Sequence, residues 1–122
     1  MQNKDFRTGP VAMSNSAANI LNGAVTSLAG PVGITLTQPV LHIRKVTIVN
    51  KTAGSVNASL FIGASAGSAA GTEFLVSAYP IPANSYIERY CNTRMESADF
   101  LTGLASAATS LTIEIEGEVG FQ

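Results

Sequence analysis

The run Leu111-Thr-Ile-Glu-Ile-Glu-Gly-Glu-Val-Gly-Phe121 alternates without a slip. Leu111, Ile113, Ile115, Val119 and Phe121 share one face, while Thr112, Glu114, Glu116 and Glu118 share the other. Successive strand residues point to opposite faces, so this is a strand with one buried and one wet side. A slip of one residue would bury three carboxylates, which fixes the pairing register. Alternation of this kind belongs to antiparallel sheets, because the buried strands of parallel sheets read as unbroken apolar runs.

The remaining segments follow the same logic. Val32–Thr37 alternates between Gly30-Pro31 and Pro39. Val40–Asn50 is a strand whose apolar phase changes between Ile43 and Val46, the mark of a β-bulge near Arg44-Lys45. Ser55–Ile62 directs Ala58, Leu60 and Ile62 inward, Thr72–Val76 is extended, and Tyr79-Pro-Ile-Pro82 cannot donate ladder bonds at its prolines. Tyr86–Tyr90 is a further strand. Ala17–Leu28 is ambiguous, because Asn22-Gly23 interrupts helical spacing, and reads as a short strand or irregular entry. Cys91–Thr109 is the least strand-like stretch; Ser97-Ala-Asp-Phe-Leu101 can cap a single helical turn that Gly103 would stop. Short strands separated by turn signals every 8–12 residues or so predict an all-β, single antiparallel β-sandwich or jelly roll of about seven or eight strands. Residues 1–16 are aperiodic and contain Gly9-Pro10. They predict an extended N-terminal arm, leaving residues 17–122 as the one domain that 122 residues support.

Charged residues make up only 12% of the chain, about half the usual ~25%. Such a surface repels its neighbours weakly and suits a protein packed among others, although an ordinary charge-poor β domain reads the same way. Net charge is −1 and the seven basic residues are scattered, so no stripe exists to neutralise a phosphate backbone; nucleic acid is not expected as a partner. No apolar run approaches the ~20 residues that span a bilayer, and the polar first fifteen residues lack a secretory signal. The single cysteine cannot pair internally, which fits a reducing compartment.

Residues capable of chemistry are few. His42 and Cys91 are the lone imidazole and thiol, and a dyad would need them adjacent and oriented by a third group. Two such ligands fall short of a structural zinc site. The pattern predicts a non-enzyme with no catalytic residue, metal or cofactor. Glu114, Glu116 and Glu118 sit ~6.6–7 Å apart along the strand, too far to share one proton; they read as a solvated face or as a row facing Arg or Lys of a neighbouring strand or partner. Gly63–Gly71 lacks the Gly-Lys-Ser/Thr ending of a phosphate loop and reads as a connecting loop. Tyr79, Tyr86 and Tyr90 are either an exposed contact patch or half-buried core tyrosines. Candidate partner-binding residues are Phe6, Arg7 and Pro10 on the arm, Tyr79, and Glu114, Glu116 and Glu118.

The Val49-Asn-Lys-Thr turn, the Ala58-Ser-Leu-Phe-Ile-Gly strand end, Ala70-Gly-Thr-Glu-Phe74, Pro82-Ala-Asn-Ser-Tyr86 and the closing strand together resemble small virion proteins of tailed bacteriophages, in particular capsid decoration (cement) proteins. The resemblance spans about half the chain and carries no diagnostic motif. It implies a sandwich seated on the outer surface of a capsid lattice at capsomer junctions. The major capsid protein would be its partner, and the protein itself a homo-oligomer (dimer or trimer), made in the host cytoplasm. A tail, fibre or head–tail junction component is the neighbouring alternative. A soluble carbohydrate-binding β domain is the alternative from another class, with Tyr79 and Asn84 standing in for the usual stacking aromatic and amide.

Overall fold

The computed structural model describes residues 2–22, 40–63, 71–95 and 99–121, which hold eight strands and no helix. In chain order these are β1 (Gln2–Ala12), β2 (Ala18–Asn22), β3 (Val40–Asn50), β4 (Val56–Gly63), β5 (Tyr79–Ile81), β6 (Ser85–Met95), β7 (Phe100–Ala105) and β8 (Leu111–Phe121). They form two four-stranded antiparallel sheets, ordered β1-β8-β3-β6 and β2-β7-β4-β5. Among these eight described strands, only β4 and β5 are consecutive strands of one sheet. The pairs β1–β8, β2–β7, β3–β6 and β4–β5 therefore nest inside one another, and the segments nearest the two ends of the chain lie side by side.

The alternation read from the closing strand is realised in β8. Leu111, Ile113 and Ile115 are buried, opposite Ile48 and Val46 of β3, while Thr112 is exposed and Glu114, Glu116 and Glu118 are half-buried. Leu60, Leu101, Ile81 and Met95 come from the other elements to meet them. Each such side chain contributes about 1.5–3 kcal/mol when fully buried. The expected bulge is present: Ile43 and Lys45 are in register with Gly117 and Glu116, which leaves Arg44 as an extra residue on β3. At this level a Cβ on Gly117 would overlap the His42 carbonyl oxygen, so β8 needs glycine there.

The N-terminal expectation is corrected. Residues 2–12 are extended, but they form β1, paired with β8 from Gln2↔Phe121 to Ala12↔Thr112. Phe6 and Met13 belong to the core at 4% and 1% exposure. The segment reads as aperiodic because its ladder shifts between Thr8 and Val11, where Gly9 (φ +102°) and Pro10 form a bulge, and because an edge strand needs few apolar residues. The expected helical turn is likewise replaced by strand. β6 runs on to Met95, and Gly103 lies in mid-β7, where Ile20 and Met13 close over the space a Cβ would take. Thr72–Val76 forms only isolated bridges, although Ile62 N donates to Thr72 O (2.9 Å) and Phe74 N to Leu60 O (2.8 Å). Leu75 and Ala78 adopt left-handed φ values of 64° and 48° and break the regular ladder. The expected strand over Val32–Thr37, residues 64–70 of the glycine-rich stretch and the cap at Ser97 lie outside the described residues.

Asn50 ties the two sheets together. Fully buried at the end of β3, it donates through Nδ2 to Gly54 O and Ile81 O (both 2.9 Å) and to Pro82 O (3.2 Å). Its Oδ1 accepts from Thr52 N (2.9 Å) and Thr52 Oγ1 (2.7 Å). One amide thus satisfies carbonyls of two turns that are distant in sequence, the buried one of Ile81 among them.

Two expectations follow. Phe6→Ala should lower stability by about 3–5 kcal/mol in urea melts, as for other core aromatics, whereas loss of a free arm would leave the midpoint unchanged. Asn50→Leu should cost roughly 3 kcal/mol by the same measurement, because it leaves the buried Ile81 carbonyl and several part-buried polar groups without their partner. A change below 1 kcal/mol or so would show that the amide holds nothing.

Candidate functional site

The outward face of the β1-β8-β3-β6 sheet gathers most of the polar side chains considered above. Cross-strand partners in antiparallel sheets share a face, so the register builds rows across it. Asp5, Glu118, His42 and Arg94 form one row; Arg7, Glu116, Lys45 and Tyr90 form the next. Glu114, Thr47 and Glu88 follow, then Ala12, Thr112, Val49 and Tyr86.

The β3 bulge supplies cations to this face. By carrying an extra residue it presents Arg44 and Lys45 outward in succession. Arg44 reaches Glu118 at 3.2 Å and donates to Asn92 Oδ1 at 2.6 Å. Lys45 lies between Glu88 (3.3 Å) and Glu116 (3.4 Å), with its Nζ 6.0 Å from the Tyr90 ring centroid. Of the two readings of the glutamate ladder, Glu116 and Glu118 follow the one that faces cations of a neighbouring strand. Glu114 has no ion pair among the described residues. The hydrogen bond and charge of Glu88, reinforced by Glu116, hold the Lys45 ammonium above its ordinary pKa of 10.5. Exposed pairs of this kind add little to stability. Their consequence is electrostatic: carboxylates that would repel an approaching protein are partly neutralised within the chain.

His42 and Cys91 are not brought together as a dyad. His42 shares the outward row with Glu118 and Arg94, whereas Cys91 packs against the core on the inner side. Cys91 Sγ donates to Ile43 O at 3.3 Å, and burial pushes its thiol pKa up, which disfavours the nucleophilic thiolate. His42 Nδ1 is buried and has no hydrogen-bond partner among the described residues. No group of three His, Cys, Asp or Glu side chains suited to a metal ion occurs among them.

Of the arm candidates, Arg7 and Pro10 are exposed, but Phe6 is committed to the core. Tyr79 is 40% exposed with the Arg89 guanidinium 4.9 Å above its ring. Tyr86 and Tyr90 are 58% and 75% exposed, so the core reading of these tyrosines does not hold. Sequence reasoning passed over Arg44 and Lys45 as the counter-charges of the glutamate ladder, and Glu88 as a further carboxylate on Lys45; the phase change at the bulge is the signal for the two cations. A hollow of about 310 Å³ on the other sheet is lined by Asn57, Ser59, Leu104, Ser106, Asn15 and Ala78, without an aromatic ring.

No protein-family model matches the chain, and no curated protein matches it. Solved structures do. A chain of the virus-like particle of the extra small virus of the giant freshwater prawn Macrobrachium rosenbergii superposes with a TM-score of 0.53 at 8% identity, covering 97% of this chain and 76% of that one. The Drosophila NLP core, described as a pentamer that binds histones, gives 0.47 at 7% identity, covering 99% and 98%. Infectious bursal disease virus, Gx strain, gives 0.41 at 6% identity, covering 97% of this chain and 31% of that one. At such identities the prawn-virus match demonstrates a shared fold.

Because the raised pKa of Lys45 reflects its two carboxylates, the stability they add is complete below the ordinary lysine value and is lost as pH rises through the raised one. Urea midpoints of the wild type and Lys45→Met should therefore differ at about pH 9 and converge once the pH has risen past the raised lysine value. A gap that stays constant across this range would mean that the ammonium contributes nothing through its charge.

Proposed function

We propose that this chain is a structural protein of a virus particle that acts by binding other protein subunits, with no catalytic step. The observation that carries the reading is the fold shared with a chain of the prawn-virus particle over nearly the whole length of this one. The nested pairing of the strands is the winding of a jelly roll, an architecture common in viral shells. The charge-poor composition, the internally paired carboxylates and the exposed tyrosines support a surface that meets protein rather than nucleic acid.

Within that class we assign the decoration role implied by the resemblance to cement proteins of tailed bacteriophages. The protein would sit on the outer surface of the head at capsomer junctions and bind the major capsid protein. One weak contact stabilises a shell little, but bridging two capsomers at many lattice sites multiplies the effect through effective concentration. Arg7, Pro10, Tyr79 and the outward carboxylates Glu114, Glu116 and Glu118 are the assigned contact residues. Phe6 is withdrawn from that set because it is buried. The same prawn-virus match favours a second reading, in which the chain builds a shell by itself.

Sedimentation of the purified protein, alone and with heads assembled without it, separates these readings. Decoration predicts no particles from the protein alone, saturable binding to heads at a fixed stoichiometry, and a higher temperature of head rupture. Closed particles formed by the protein alone would establish the second reading. Failure both to bind and to assemble would overturn the virion role.

A further inference from the structure

The four outer strands of the sandwich are not equally open to further pairing. β1 carries Pro10, which has no N–H to donate, β2 is five residues long, and β5 is three residues long with Pro80 at its centre. Prolines and short length are usual means of blocking an edge. β6 has eleven residues and no proline, and among the described residues it pairs only with β3. Its ladder to β3 is offset once, where Cys91 and Asn92 face Arg44. β3 carries its own offset at the same level and still pairs on both sides, so the irregularity does not terminate a ladder. Of the five large apolar or aromatic side chains exposed among the described residues, Leu75, Tyr79, Tyr86 and Tyr90 lie on β5, on β6 or in the segment leading into β5.

We propose that β6 pairs antiparallel with β6 of a second copy, joining the two β1-β8-β3-β6 sheets across a two-fold axis at Cys91. The charge pattern of the strand favours a second copy as the occupant and disfavours the registers that oppose like charges. Its outward residues run Tyr86, Glu88, Tyr90, Asn92 and Arg94, acidic toward the start and basic at the end. An antiparallel copy therefore lays each acidic half along a basic half. With the axis at Cys91, Glu88 faces Arg94 of the partner subunit and Tyr90 faces Asn92 of the partner subunit, each twice. Moving the axis to Glu88 would oppose two carboxylates, and moving it to Arg89 would oppose two guanidiniums; both are disfavoured. The resulting interface is isologous and closes as a dimer, leaving no further edge of the same kind. This rests on the strand edges alone and stands apart from the virion role.

The test is sedimentation equilibrium of the full chain and of two double variants at exposed positions. Tyr90→Lys with Asn92→Lys places like charges opposite each other twice across the axis, and should weaken dimerisation by at least about tenfold. Tyr90→Lys with Asn92→Glu places opposite charges there and should dimerise within about threefold of the wild type. Thermal melts of both variants check that the fold is intact. A wild-type protein that stays monomeric at about 0.1 mM, a two-lysine variant that dimerises as well as the wild type, or equal weakening in both variants would each overturn the pairing.

Discussion

Everything in this fold hangs on β8 being paired on both sides. Its period-two pattern admits one register, because a slip would exchange Leu111, Ile113 and Ile115 for charged or polar neighbours. β1 and β3 both read that register, and Gly117 allows the β3 backbone at His42 to pass where a side chain would block it. Since β1 and β8 come from opposite ends of the chain, their ladder also closes the nested set of pairs. The two sheets then face each other across a core that includes Phe6 and Met13 from the N-terminal segment.

The strands that could be read in the sequence are those buried on one face for most of their length. The bulge at Arg44 was visible because Ile43 and Val46 change phase, and both proved buried. β1 was not visible, because its bulge at Gly9-Pro10 breaks the alternation and, among the side chains described on it, only Phe6 is buried, with Met13 following just past its end. β6 beyond Tyr90 and β7 were missed for a related reason. Cys91, Thr93 and Met95 make a weak apolar face, and β7 buries Thr102 and Gly103 where larger apolar residues would be expected. The role of Asn50 is a matter of tertiary structure: its partners at Ile81 and Pro82 are about thirty residues away and leave no local signature.

The same limits apply to the candidate site. The outward position of Glu114, Glu116 and Glu118 follows from alternation alone. Which cations meet them depends on strand order, and on a bulge that turns two consecutive basic residues to one face. The single imidazole and single thiol looked chemical in isolation, yet they belong to opposite sides of one sheet. What the chain presents outward is a band of self-neutralised charge bordered by tyrosines, on a frame that includes the N-terminal segment. Contacts with other subunits would therefore be made by surfaces of a closed sandwich rather than by a trailing arm.

Amide hydrogen exchange of the isolated protein tests that claim most directly. If β1 closes the sandwich, amides of β1 that bond to β8 exchange through the same cooperative opening as those of the central strands β3 and β8. The account predicts protection in β1 within about tenfold of that in β8, lost together with it as denaturant is raised. Free exchange over residues 2–12 alongside a protected β8 would contradict it, and would return the N-terminal segment to the role of an arm.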